Sequence, residues 1–178
     1  GTPSDTSKGD ASNATESASS NLKDDGKVLN IYCWNEEFKS RITAHYPDYK
    51  EVDATHGKIG DVDVVWNITP SDDNAYQNNL DAALLNQQDA PADDKIDIFL
   101  VEADNALKYV DTDYTAPVKD LGITDADLSK QYQYTKDIVT DSKGVLKGVS
   151  WQGCPGVLFY NREAAKDVLG TDDPDEVQ

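Results

Sequence analysis

From residue 28 onward, apolar and polar residues alternate in two rhythms, that of a strand and that of a helix. The run Val28-Leu29-Asn30-Ile31-Tyr32-Cys33-Trp34 is rich in β-branched and aromatic residues and predicts a mostly buried strand. Asn35 then supplies an N-cap for a helix on which Phe38, Ile42 and His45 or Tyr46 recur at helical spacing, and Pro47 closes it. A polar, glycine-containing connection leads to Val62, Val64, Trp66 and Ile68, which alternate with polar residues as a strand requires. Ser71 is placed to cap a long helix with Tyr76, Leu80, Ala83 and Leu84 on its apolar face. Residues 95–101 (KIDIFLV) predict a third strand and residues 103–110 a shorter helix.

The second half is less regular. A polar loop over residues 111–122 precedes Thr124 and Asp127, which resemble a capping box with Asp in place of Glu. Leu128, Tyr132, Thr135 and Val139 share one face of a predicted helix, and Asp141-Ser142-Lys143-Gly144 reads as a turn. Residues 145–151 predict a fourth strand and the apolar run 156–160 (GVLFY) a fifth, buried one. That run stops at Asn161-Arg162. A short helix follows with Ala164, Ala165, Val168 and Leu169 at compatible spacing, Gly170 as its C-cap and Pro174 beyond. Strand and helix alternate through the first half, which implies parallel strands with helical crossovers: an open, mostly parallel α/β sheet flanked by helices. No internal repeat is visible.

Composition divides the chain. Residues 1–26 hold a single large apolar residue, Leu22, among Ser, Thr, Asp, Gly and Ala, and are expected to form a disordered tether. The formal net charge of −18 argues against nucleic acid and against anionic membrane surfaces, both of which call for clustered Lys and Arg. No stretch has transmembrane length and no signal-peptide core is present. Two cysteines, Cys33 and Cys154, make no disulfide framework and read as free buried thiols, a single disulfide being the alternative.

Motifs of catalysis are missing: no GxGxxG after a strand, no GxxxxGK[ST], no HExxH, no CxxC and no GxSxG. His45, near the apolar face of the first helix, and His56, in a glycine-containing loop, read as structural. Asp61/Asp63 and Asp111/Asp113 lack the calcium-loop pattern and read as solvated turns, and no metal or cofactor site is expected. Asn13-Ala14-Thr15 and Asn67-Ile68-Thr69 match the short glycosylation pattern. The informative positions are where predicted strands end, because ligands of open α/β sheets bind outside the carboxyl ends of the strands. Trp34-Asn35-Glu36-Glu37, residues 67–73, Glu102-Ala103-Asp104-Asn105 and Trp151-Gln152 lie there. Indole rings beside amides and carboxylates suit a hydroxyl-rich ligand, whose apolar ring face stacks while its hydroxyls form paired hydrogen bonds. Trp34 and Trp151 read equally well as core residues at the sheet rim, and Trp66, inside an alternating strand, reads as core.

Three segments carry a family resemblance: KVLNIYCWNEEF, KIDIFLVEADNALKYV and DSKGVLKGVSWQGCPGVLFYNREAAKDVLGTDDPDE. Together they resemble the amino-terminal lobe of an extracellular solute-binding protein of a bacterial ABC importer, in the carbohydrate-binding group. The segment LFYNR in its context is the most specific mark. Departures are Ser150, where the family often has Pro, and the inserted Gln152-Gly153-Cys154-Pro155. The resemblance implies a lobe of the type II periplasmic-binding-protein kind over residues 27–161, with Tyr160 and Asn161 at the hinge. Residues 162–178 then begin a second, truncated lobe. The serine-rich tail resembles the spacer that follows the lipid-modified cysteine of Gram-positive lipoproteins, implying an extracellular protein tethered to the membrane by a lipid anchor upstream of residue 1.

A binding protein without enzymatic activity is therefore expected, a monomer that captures a sugar or oligosaccharide and delivers it to ABC permease subunits. Its ligand-binding residues, by strand-end position and by resemblance, are Trp34, Asn35, Glu36, Glu102, Asp104, Trp151 and Gln152. A polyamine or other cationic solute is the alternative that Glu36, Glu37, Glu102 and Asp104 support. Outside that class stand a purely structural surface module and, more remotely, a glycosyl transferase domain, for which neither a nucleotide site nor a metal-binding Asp pair is seen.

Overall fold

The structure, a computed structural model, describes residues 26–154 and 156–178. The tether expected over residues 1–26, apart from Gly26, and the Asn13 glycosylation pattern lie outside the described residues. Five strands form one open sheet: β1 (Val28–Cys33), β2 (Tyr49–Glu51), β3 (His56–Ile59), β4 (Val62–Ile68) and β5 (Ile98–Phe99), in the order β2-β3-β4-β1-β5. β1 lies between β4 and β5 and is parallel to both, whereas β2-β3 and β3-β4 are antiparallel. The sheet is thus mixed rather than mostly parallel.

The difference comes from residues 48–61, expected to be a connection. They fold into a hairpin that extends the sheet beyond β4. Asp53 turns it, accepting hydrogen bonds from the amides of Thr55 and His56 and contacting Nδ1 of His56 at 2.9 Å. The bond from the Thr55 amide, followed by the one from the His56 side chain, holds the Asp53 carboxyl down at about 2. Packing locks the hairpin onto the sheet: the indole N–H of Trp66 donates to the Tyr49 hydroxyl at 3.1 Å, and Tyr49 crosses directly over Gly57. A Cβ at Gly57 would lie 2.3 Å from that ring.

Alternation along β1 sends side chains to both faces. Ile31 and Cys33 join Phe38, Val64, Trp66 and Leu100 in one core cluster, on the side of α1 (Glu36–His45). Tyr32 and Phe99 point the other way, to Tyr76, Leu80 and Leu84 of α2 (Ala75–Leu85) and Tyr109 of α3 (Ala103–Val110). Helices therefore cover both faces, and Trp34 packs against both clusters. α1 begins as its sequence predicts: the Asn35 side chain accepts from the Glu37 amide, with Glu36 and Glu37 in the first turn, where the helix dipole favours carboxylates. Lys39, buried on α1, donates to the Ala54 carbonyl at 2.6 Å and ties the helix to the hairpin turn. His45, read as a surface or half-buried structural residue, is exposed at the helix end. Cys33 is fully buried, and removal from water raises its thiol to about 11; Cys154, expected to be buried, is exposed, and the two thiols are free.

Other predicted elements are shorter than their sequence suggests. Of residues 95–101 only Ile98–Phe99 pair as a strand, although the Asp97 and Leu100 amides continue bonding to Asn30 and Tyr32 of β1 on either side. The predicted helix over Leu128–Val139 shrinks to α4 (Gln133–Asp137), because Tyr132 is extended (φ −64, ψ 139) and the aromatic and β-branched residues around it are poor helix formers. The Thr124–Asp127 box does form, Asp127 accepting from both the amide and the hydroxyl of Thr124, but it caps a series of turns. Residues 145–151 make a single bridge, Thr140 to Leu146, instead of a strand.

The run 156–160 is the largest correction. It forms no strand and pairs with none, and Val157, Leu158 and Phe159 are exposed, Phe159 at 88%. β-propensity describes a fit to a pleated, half-buried surface, and no neighbouring strand supplies one here. Beyond it, Asn161 caps α5 (Arg162–Leu169) through bonds from the Glu163 and Ala164 amides, and Gly170 ends that helix at φ +77. A last turn, α6 (Pro174–Val177), starts at Asp173, whose side chain accepts from the Asp175 amide.

Candidate functional site

The strand order 4-1-5 creates a crevice. From β1 the chain travels to β4 on one side, then returns through α2 to β5 on the other. Connections leaving in opposite directions part at the carboxyl ends of β1 and β5, the topological switch point at which open α/β sheets bind ligands. Trp34, one residue past β1, and Glu102, Asp104 and Asn105, just past β5, line a hollow of about 120 Å³ there, closed on its far side by Asn74 and Gln77.

Tyr76 forms the base of this hollow. Its ring meets Trp34 edge-on at 5.5 Å between centroids, and its hydroxyl donates to the Leu100 carbonyl at 2.6 Å, with the Tyr32 carbonyl at 3.2 Å. α2 is thereby tied to the last residues of β1 and β5, and burial raises the Tyr76 hydroxyl far above the ordinary tyrosine range. The wall is set by a polar clasp between α2 and α3: the Tyr109 hydroxyl lies 2.8 Å from both Gln77 Oε1 and Asp81 Oδ1, and Lys108 pairs with Asp81. Burial works against ionising Asp81, but its bonds to Lys108 and Tyr109 outweigh this and keep its carboxyl below the usual range. Gln77 consequently has its carbonyl oxygen engaged, while Glu102 and Asp104 are exposed at the mouth.

Trp151 and Gln152 line a second hollow, of about 160 Å³, with Gln131, Tyr132, Thr135 and Ser150. Trp151 packs edge-on against Phe38 at 5.3 Å, and so borders the same core cluster as Trp34. The Gln131 amide donates to the Ser150 carbonyl at 2.7 Å and leaves its buried oxygen without a partner. Gln152 reaches across to α1, donating to Glu37 Oε1 at 3.2 Å.

Of the residues nominated from sequence, Trp34, Glu102 and Asp104 share the switch-point hollow, and Trp151 and Gln152 share the second. Asn35 is engaged as the cap of α1, and Glu36 is exposed in its first turn. Trp66 is core, 2% exposed. Tyr160 and Asn161 lie in neither hollow: the Tyr160 hydroxyl donates to the Asp172 carbonyl at 2.9 Å, and Asn161 caps α5. Sequence reasoning did not reach Asn74, Gln77 and Tyr132, whose place depends on how α2 and the 131–135 segment pack. Asn74 sits at φ +60 immediately before α2, an unusual conformation that no local sequence pattern announced.

Comparison with family models, with curated proteins and with solved structures finds no match to this chain. Function therefore rests on the site. Among the described residues no cluster of three metal-ligating side chains occurs, and no helix is long and apolar enough to cross a membrane. Of the carboxylates that lack the calcium-loop pattern, Asp61 pairs with Lys27, Asp63 lies within β4 rather than in a turn and pairs with Lys58, and Asp111 accepts from the amide and hydroxyl of Ser142. Asn67 of the second glycosylation pattern lies within β4.

Proposed function

We propose that this chain is the amino-terminal lobe of a type II periplasmic-binding-protein-like solute-binding protein, which captures a sugar or oligosaccharide outside the cell for an ABC importer. The observation that carries the reading is the switch-point hollow: an indole beside two carboxylates and three amide side chains, at the strand ends where this architecture binds small solutes. Hydroxyl-rich ligands need that combination, because stacking covers the C–H face of the ring while amides and carboxylates satisfy its hydroxyls in pairs. At about 120 Å³ the hollow is well below the roughly 300–1,000 Å³ of complete small-molecule sites, as one wall of a cleft would be. By the resemblance of the LFYNR segment, the opposite wall belongs to a second lobe, with Tyr160 and Asn161 at the hinge. A lipid anchor upstream of residue 1 and ABC permease subunits as partners rest on that resemblance alone. The role assigned to the lobe is binding, without catalysis.

One observation favours a second reading. Glu102 and Asp104 line the hollow with no basic side chain among its walls, which suits a polyamine or other cationic solute. A titration followed by the three tryptophan indole N–H signals separates the two. Shifts at Trp34 with neutral saccharides, with buried Trp66 unmoved, support the sugar reading; shifts with spermidine alone support the cationic one. Silence with both at millimolar concentration removes this lobe as a binding unit.

A further inference from the structure

Val157, Leu158 and Phe159 follow one another in the chain and are 69%, 66% and 88% exposed. Among the described residues no hydrogen bond reaches their backbone amides or carbonyls. The run 156–160 is uncharged and rich in β-branched and aromatic residues, and it ends at the polar pair Asn161-Arg162. It has the composition of a strand and lacks the ladder that would make it one. The sheet has a complementary need. β5 pairs with β1 along one side, and among the described residues no strand lies along the other. Ile98, within β5, is 41% exposed, and the neighbouring Asp97 carboxylate is drawn inward to the Asn30 amide at 2.7 Å, so that it does not guard the edge. The opposite edge is defended: β2 is three residues long and exposes Lys50 and Glu51, the kind of charged side chain by which edge strands resist pairing.

We propose that the run 156–160 of one copy of this chain adds as a strand to the open β5 edge of a second copy, and that the exchange is reciprocal, giving a two-fold dimer. A second copy is the occupant because the fold leaves run and edge unpaired within the same chain, so the run is not laid on its own β5. Main-chain hydrogen bonds along the added strand supply the affinity, and its alternating side chains fix the register. Area argues for reciprocity. One added strand of five residues is about 17 Å long and falls short of the roughly 1,000 Å² that a specific interface buries, and a two-fold exchange doubles its contribution. Such an exchange also closes on itself and leaves no edge for further growth. The two chains, each with a formal charge of −18, repel one another, so the dimer tightens as salt screens them. None of this depends on the solute-binding reading.

The test attaches a nitroxide to the exposed Cys154 thiol, two residues before the run, while Cys33 is buried and stays unmodified. This chain is mixed with an isotope-labelled Cys154→Ser chain that carries no nitroxide, and amide signals are followed as concentration and sodium chloride rise. The expected result is broadening of the amides of residues 98–101 in the labelled chain, with light scattering moving toward twice 19.5 kDa. Phe159→Asp, at a side chain too exposed to matter for folding, should weaken the dimer at least about tenfold. Val52→Asp, which alters another exposed apolar residue just past β2, should leave it unchanged. Broadening confined to the chain that bears the nitroxide would show the run serving its own β5 and overturn the exchange. A mass that stays that of one chain, a dimer in which residues 98–101 remain sharp, or equal losses from Phe159→Asp and Val52→Asp would overturn it as well.

Discussion

Replacing Tyr76 with Phe tests whether the switch-point hollow is held together by the bond that the structure assigns to it. The ring would keep its edge-on contact with Trp34 at 5.5 Å, so packing changes little. What disappears is a side-chain donor to the Leu100 carbonyl, at 2.6 Å, and with it the weaker contact to Tyr32. A buried carbonyl left without its donor costs about 1–3 kcal/mol. About 1.5 kcal/mol, inside that range, is the expected loss. In a domain of this size that lowers Tm by about 3–6 °C. Urea unfolding followed by tryptophan fluorescence should show the midpoint falling with the slope unchanged, since the exposed surface is the same. Amide exchange should quicken first around residues 98–101. A change in stability below about 0.3 kcal/mol would refute the reasoning, because surface-like substitutions lie in that range and the hydroxyl would then not be anchoring the strand ends.

Three further outcomes follow from the same structure. Gly57→Ala should displace the Tyr49 ring, leave the buried Trp66 N–H without an acceptor and destabilise the domain by about 1–3 kcal/mol, with the Trp66 indole proton shifting as the direct readout. For pH, the sign is set by depressed carboxylates: Asp53, held at about 2, and Asp61, Asp111, Asp127 and Asp172, also lowered, contribute stability that is present above their unfolded values near 3.9. That contribution is lost as pH falls from about 4 toward 2, and Asp53→Asn should flatten the decline in a series of denaturation midpoints. A thiol reagent should label Cys154 alone in the native protein and reach Cys33 only on unfolding; rapid labelling of both would contradict the burial of Cys33.

The strand-end placement of Trp34, Glu102 and Asp104 was legible in the chain. So were β1, α1 with its Asn35 cap, β4 and the apolar face of α2, whose periodicities are local signals; the cap expected from Ser71 does not form, and α2 starts after Asn74 with no side-chain cap. The β2-β3 hairpin was not. Its residues are polar and short-ranged in pattern, and what makes them strands is the ladder offered by β4 together with Tyr49 packed on Gly57 and Trp66. The same dependence works in reverse at residues 156–160, whose composition is that of a buried strand but which meet no neighbouring ladder. Nor did sequence distinguish two hollows from one, since Trp34 and Trp151 look alike as strand-end indoles until the crossover through α2 and the extended backbone at Tyr132 separate their surroundings. Sequence alone determined α1, α2, α3 and α5, whose hydrogen-bond partners lie within a few positions, and the location of β1 and β4, whose alternation is local even though their ladder partners are not. Tertiary structure decided the sheet edges, the exposed apolar run and the grouping of the site, because a strand's partner and a cleft's opposite wall come from parts of the chain that local pattern does not address.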